Sequence, residues 1–170
     1  MEIKGYKAFN VDKTNRYGKP FEEGKTYHTD EDIKFTKTGF HMCKHLSDVF
    51  RYFKGLDVVV AEVTGSGKYE EMDLDDWFPP YYEMYAVSDI TINKFLSRNE
   101  IIELMLNASE YDVIKFIQTF DLTIEEGKLF ANKFINKKDI LKALIYYVFK
   151  DENAYTIPYN EESSYIKKYL

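Results

Sequence analysis

Near residue 92 the hydrophobic period of this chain changes, and that change constrains the fold more than any single motif. Before it, short β-type runs alternate with turn signals; after it, apolar residues recur at helical spacing. The strongest strand is "VVVAEV" at 58–63, β-branched and almost wholly apolar, which suits a central strand buried on both faces. "IKGYKAF", "TYH", "IKFT" and "GFHMC" are shorter strand candidates, and "EMYAVSDITI" is either a strand pair or one long strand kinked at Asp89. "LSDVFRYFK" has helical spacing, with Leu46, Val49, Phe50 and Phe53 on one face and Ser47 as its N-cap. "NRYGKPFEEGKTY", "TGSGK" and "DLDDWFPPYY" carry the Gly and Pro punctuation of loops and turns.

Four amphipathic helices are expected in the second half. "SRNEIIELMLN" and "TIEEGKLFANKFI" open with capping-box spacing, Ser97 with Glu100 and Thr123 with Glu126. "SEYDVIKFIQTF" aligns Val113, Phe116, Ile117 and Phe120, and "NKKDILKALIYYVF" aligns Leu141, Leu144, Ile145 and Val148. The tail closes with a helical turn around Tyr165 or drapes over the surface. Repeated caps at short intervals mark separate helices, because each cap satisfies a backbone N–H that a first turn leaves unpaired. The fold class is α+β: a small, mostly antiparallel sheet with one short helix, then a C-terminal cluster of short amphipathic helices. The expected boundaries are 1–92 for the β-rich module and 93–170 for the helical region, which either stands alone or shares the first module's core.

Length and charge narrow the function. At 170 residues the chain is one domain or one domain with an appendage. A net charge of −6 argues against a nucleic-acid binder held by a general basic field; a local basic stripe is compatible with it, but the lysines are scattered along the sequence. One cysteine excludes an intrachain disulfide framework and fits a reducing interior. There is no secretory leader pattern and no apolar run near the ~20 residues of a spanning helix, so a soluble cytoplasmic protein is expected. Fifteen Tyr and thirteen Phe supply the core, and some tyrosines are expected to sit half-buried at the surface.

"GFHMCKH" at 39–45 gathers two histidines and the lone cysteine. As a zinc site it offers His41, Cys43 and His45 on one strand face, with His28 or Asp48 as a fourth ligand. Alternate strand residues lie ~7 Å apart, which spreads three ligands too far for one ion. A Cys43 nucleophile would need a touching histidine and an orienting group, and strand neighbours do not meet that way. The favoured reading is a corner: Gly39 turns, Phe40 enters the core, His41 bonds a neighbouring backbone group and Cys43 fills space under the following helix. "YEEMDLDDW" lacks the glycine and terminal glutamate of a calcium loop, and "TGSGK" lacks the spacing of a phosphate-binding loop. No metal and no cofactor are expected.

Four pieces in order, "GYKAFN" at 5–10, "EEGKTY" at 22–27, "TGFHMCKHLSDVFRYF" at 38–53 and "VVAEVTGSG" at 59–67, resemble a small family of phage- and prophage-encoded proteins of unknown function. Members are similar in having Gly-Phe-His, then Cys, then an Asp-Val helix; where they commonly have proline after the cysteine, this chain has His45 and Leu46. The resemblance covers the first half only and implies a phage or mobile-element origin. The strand–helix–strand order of 39–63 also looks like the middle of ADP-ribosyltransferase folds. That likeness implies NAD as substrate, with His41 (or Tyr6), Tyr27 and Glu62 as the catalytic set and the carboxylate steadying an oxocarbenium-like centre.

The preferred expectation is a non-enzymatic accessory protein acting in the bacterial cytoplasm on a host or phage protein, with neither nucleic acid nor membrane as partner. The ADP-ribosyltransferase-like enzyme is the alternative. Trp77, Phe78, Tyr81 and Tyr82, flanking a rigid Pro-Pro step, are the candidate contact residues, since Trp and Tyr are enriched where binding energy concentrates.

Overall fold

A computed structural model of the chain describes residues 1–35, 37–53, 57–72, 83–151 and 162–170. The backbone divides into two compact units, Met1–Ser97 and Arg98–Leu170. The first holds five antiparallel strands: β1 (Ile3–Asn10), β2 (Thr26–His28), β3 (Phe40–Cys43), β4 (Val58–Glu71) and β5 (Met84–Leu96). β1 pairs with β4 along its whole length, from Ile3 opposite Gly65 to Asn10 opposite Val58. β4 pairs with β5 on its other side, and β5 pairs with β3 and β2. β3 then meets β1 at Tyr6 and Cys43, so the ring β1–β4–β5–β3–β1 closes. β2 follows β3 end to end along the same side of β5.

Closure needs curvature, and β4 supplies it. Its register against β5 shifts between Glu62 and Val63 and again between Ser66 and Tyr69. Such bulges bend a strand and increase its twist. Inside the ring lie Ile3, Phe9, Phe21, Met42, Ala61, Val63, Tyr85, Val87, Ile90 and Ile92, with Tyr27, Phe40 and Phe95 packed against them. Met42 is the wedge between two glycines. A Cβ on Gly5 would lie 2.3 Å from the Cys43 carbonyl oxygen and 2.7 Å from Met42 Cε, and one on Gly65 would lie 2.7 Å from Met42 Sδ. Helix α1 (Leu46–Tyr52) lies against β1 and β3.

Three local expectations change. Ser47 is a buried residue inside α1, and the N-cap is His45, whose extended backbone leads in from β3 without a side-chain cap bond. "IKFT" is not a strand: of its described residues, Lys34 makes only an isolated bridge to Thr38 across a turn. "TGSGK" is not a turn but the middle of β4, where the second bulge and the left-handed Gly67 (φ +76°) absorb the turn-like composition. β5 is one continuous strand that runs past Ile92 to Leu96.

The second unit is helical: α2 (Arg98–Leu106), α3 (Glu110–Thr119), α4 (Ile124–Lys133), α5 (Lys138–Ala143) and α6 (Glu162–Tyr165). Ser109 caps α3 by accepting from Asp112 N–H, and Thr123 and Glu126 form the reciprocal capping box of α4. Arg98 ties the start of α2 to that box. Its guanidinium donates to both Glu126 carboxylate oxygens at 2.7 and 2.8 Å and to the Asp121 carbonyl at 2.6 Å. α5 does not stop at Ala143 but widens into a π-helical turn, Leu144–Val148, in which Phe149 N–H reaches back to the Leu144 carbonyl. Phe116, Phe130, Ile140, Leu141, Leu144, Ile145 and Ile166 are fully buried.

Replacing Gly5 by Ala should lower stability by about 1–3 kcal/mol, because the new methyl meets a backbone carbonyl that cannot rotate away. Urea unfolding of the variant checks this. Gly18→Ala is the comparison: its Cβ would meet nothing within 4 Å, so its cost comes only from the positive φ.

Candidate functional site

β-Strand alternation decides where each candidate side chain points. On β4, Ala61 and Val63 belong to the inner cluster, which puts Glu62 on the outer face between Tyr6 of β1 and Lys94 of β5. Tyr6 is made less acidic by burial and by the Glu62 charge. On β3, Phe40 and Met42 face inward, so His41 and Cys43 face out. Tyr27 goes the other way. Its ring packs 4.5 Å from Phe21 at the inner cluster, and its hydroxyl accepts the Glu22 N–H at 2.8 Å. Tyr27 and Glu62 therefore point to opposite faces of the sheet, and β1 stands between the strands carrying His41 and Glu62. The fold does not bring Tyr27 together with the other two. Trp77, Phe78, Tyr81 and Tyr82 lie outside the described residues.

His45 leaves the strand as the cap of α1, so it does not share a face with His41 and Cys43. Cys43 is buried and in no disulfide, and Asp48 is fully buried in α1. His28 has different company. Its Nδ1 is 2.7 Å from Asp89 Oδ1 and its Nε2 is 2.9 Å from Asp30 Oδ1. Ser88 hydroxyl donates to Asp89 Oδ2 at 2.6 Å and accepts Lys68 N–H at 3.0 Å. The bond to Asp30, then that to Asp89, raises the His28 pKa, while the Ser88 bond followed by His28 lowers that of Asp89. The serine touches the carboxylate and not the imidazole, so this chain of contacts is no Ser–His–Asp relay. Among the described residues no group of three or more His, Cys, Asp or Glu side chains could hold a metal ion.

The most unusual geometry lies where β1 and β3 separate. The inward register of β1 is Ile3, Gly5, Lys7, Phe9, so a lysine occupies a core position. Lys7 Nζ donates to the His41 carbonyl at 2.6 Å, tying the strands beyond their Tyr6–Cys43 pair. Burial lowers the Lys7 pKa to about 8, with Arg16 adding to the fall and Cys43 opposing it. Burial, then Lys7 and Arg16, lowers that of His41. Below Lys7 runs a row of rings: Phe95 to Phe9 at 5.5 Å, Phe9 to Phe21 at 5.0 Å and Phe21 to Tyr27 at 4.5 Å. Lys13 Nζ lies 4.6 Å from the Phe95 centroid, Lys7 5.8 Å from Phe9 and Lys19 5.8 Å from Tyr27. Arg16 stacks on Tyr17, which is 77% exposed. A cation over an aromatic face is attracted by the ring quadrupole. The sequence reading missed this cluster. The charged residue at an inward position of "IKGYKAF" was the available signal.

The first unit is thus a closed antiparallel β structure with a cation-bearing, aromatic end. A model for a domain of unknown function, DUF7666, matches residues 3–103, and the chain belongs to that family. No curated protein and no solved structure matches it.

Two titrations follow from these contacts. By NMR, His28 should titrate above the ordinary histidine value near 6.5 and His41 below it. The His28 contribution to stability is full below its unfolded pKa and is lost as pH rises through the folded one. Asp30→Asn should bring the His28 midpoint back down. For Lys7 the sign is opposite: between pH 8 and the unfolded lysine value of about 10.4, the unfolded chain binds more protons, so its burden on folding is relieved as pH rises. Melting curves at pH 7 and pH 10 should show wild type gaining on Lys7→Met at the higher pH.

Proposed function

We propose that this chain is a non-enzymatic protein-binding module, a phage or prophage accessory protein that works in the bacterial cytoplasm on a host or phage protein. The observation that carries this is the end of the sheet just described. Lys7, Lys13, Arg16 and Lys19 gather there, and among the described residues none of the four is in an ion pair. Some lysines elsewhere are paired, Lys25 with Glu22, Lys34 with Asp32, Lys128 with Glu125, Lys137 with Glu110 and Lys168 with Asp151; what sets these four apart is that they gather around one row of rings. In a chain of net charge −6, a cluster of uncompensated cations supported by rings is a surface for a partner. The Pro-Pro segment with Trp77, Phe78, Tyr81 and Tyr82 is a second proposed contact, on composition alone.

The competing enzyme reading has a direct test. Incubated with NAD, the protein should release no nicotinamide and show no shift in melting temperature. Nicotinamide release that is lost in Glu62→Gln would replace the binding reading with catalysis. In host lysate, the full chain should retain a discrete protein that washes off with salt, because contacts made by exposed charges weaken as ionic strength rises.

A further inference from the structure

We propose that the lysine-topped ring row of Phe95, Phe9, Phe21 and Tyr27 docks an acidic segment of the partner protein, with Lys7, Lys13 and Lys19 receiving its carboxylates. This rests on the reading that the chain acts by binding a protein, and it names the chemistry of the contact.

Charge complementarity supplies the first argument. The carboxylates of the same loop are already engaged: Asp12 by the Thr14 N–H and hydroxyl, Glu22 by Lys25, and Glu23 by the Phe95 N–H at 3.0 Å. They leave the exposed Lys13 and Lys19 for an outside anion, with Lys7, which already donates to the His41 carbonyl, at the inner edge of the same surface. Lys7 adds the second argument. It holds a charge in a half-buried, inward position beside Arg16, an arrangement that weakens folding and that an arriving carboxylate would relieve. With a pKa of about 8 it is still mostly protonated at neutral pH.

A peptide fits better than a single-stranded nucleic acid. Strand binders of that kind stack bases on exposed rings. Here Phe9 and Phe21, the middle of the row, are each 2% exposed, so no base can reach their faces and only the partly buried end rings Phe95 and Tyr27 and the separate Tyr17 offer any ring surface. The aromatic row instead forms a floor beneath the lysines, each of which lies over one of its rings. A long polyanion would also meet the net negative field of the chain, whereas a short acidic segment responds to charges within about one Debye length, ~8 Å at physiological salt.

The test uses the full chain and three fluorescent probes of equal length: a Glu/Asp-rich peptide, its Gln/Asn counterpart, and a single-stranded oligonucleotide. The acidic peptide should bind, the neutral one should not, and affinity should fall at least about tenfold in Lys7→Gln/Lys13→Gln/Lys19→Gln. Lys13 and Lys19 are exposed, so the double variant Lys13→Gln/Lys19→Gln guards against misfolding at Lys7 and should still lose affinity. On binding, the Lys7 ammonium should titrate at a higher pH than in the free protein. Equal peptide affinity in wild type and both variants would overturn this site and leave the protein-binding reading standing. Binding of the oligonucleotide alone, lost in the same variants, would overturn both. If no probe binds, yet the triple variant captures the same lysate protein as wild type, the acidic-segment inference falls and the module reading survives.

Discussion

The contact on which the first unit depends is the approach of β1 to β3 across Gly5. Only a residue without a side chain lets the Cys43 carbonyl come that close, and Met42 then fills the space between Gly5 and Gly65. One backbone pair, Tyr6 with Cys43, completes the ring. Closure matters because β1, β3, β4 and β5 each then have a neighbour on both sides, so the four are not left as exposed edges. It also turns the alternation of each strand into a strict choice between inside and outside.

That choice shapes the functional site. Tyr27 goes inside and Glu62 outside, so a set of residues whose order suggested an NAD-using enzyme is divided by the sheet. Lys7 goes inside as well, at the point where β1 and β3 part. Its ammonium serves as a strand-to-strand donor to the His41 carbonyl and remains charged above a row of rings. A structural tie and a candidate binding group are therefore the same atom. On the proposed reading, removing the charge would ease folding and cost a contact with the partner, a conflict often found where function places a residue against stability.

The family match spans 3–103 and so takes in every strand among the described residues, α1 and the opening of α2. The matched segment therefore holds the closed β unit together with the whole ring row, from Phe95 to Tyr27. The helical unit is held by its own devices. Arg98 binds both oxygens of Glu126 while that carboxylate also accepts the Thr123 N–H at 2.8 Å, so one side chain fixes the start of α4 and its link to α2. At the far end, Asp151 accepts Tyr165 hydroxyl at 2.8 Å and Lys168 Nζ at 2.7 Å, fastening the last turn beside buried Ile166.

Much of the architecture was legible in the residues themselves. The α+β class, the "VVVAEV" strand and the capping box at Thr123 and Glu126 depend on neighbours within a few positions, and local patterns record such dependence directly. The turn assigned to "TGSGK" failed for a physical reason: glycines there relieve crowding against Met42 and shape a bulge, a need set by strands distant in sequence. The π-turn at Leu144–Val148 was likewise invisible, because an added residue in a helix leaves no simple mark on hydrophobic period. The site was least legible of all. Lys7, Lys13 and Lys19 are close in the chain, but the ring row they top is assembled from Phe95, Phe9, Phe21 and Tyr27, which come from β5, β1, the loop after β1 and β2. Periodicity determines which face of a strand a residue takes; only the closing of the ring decides which faces come together, since that depends on contacts between residues tens of positions apart.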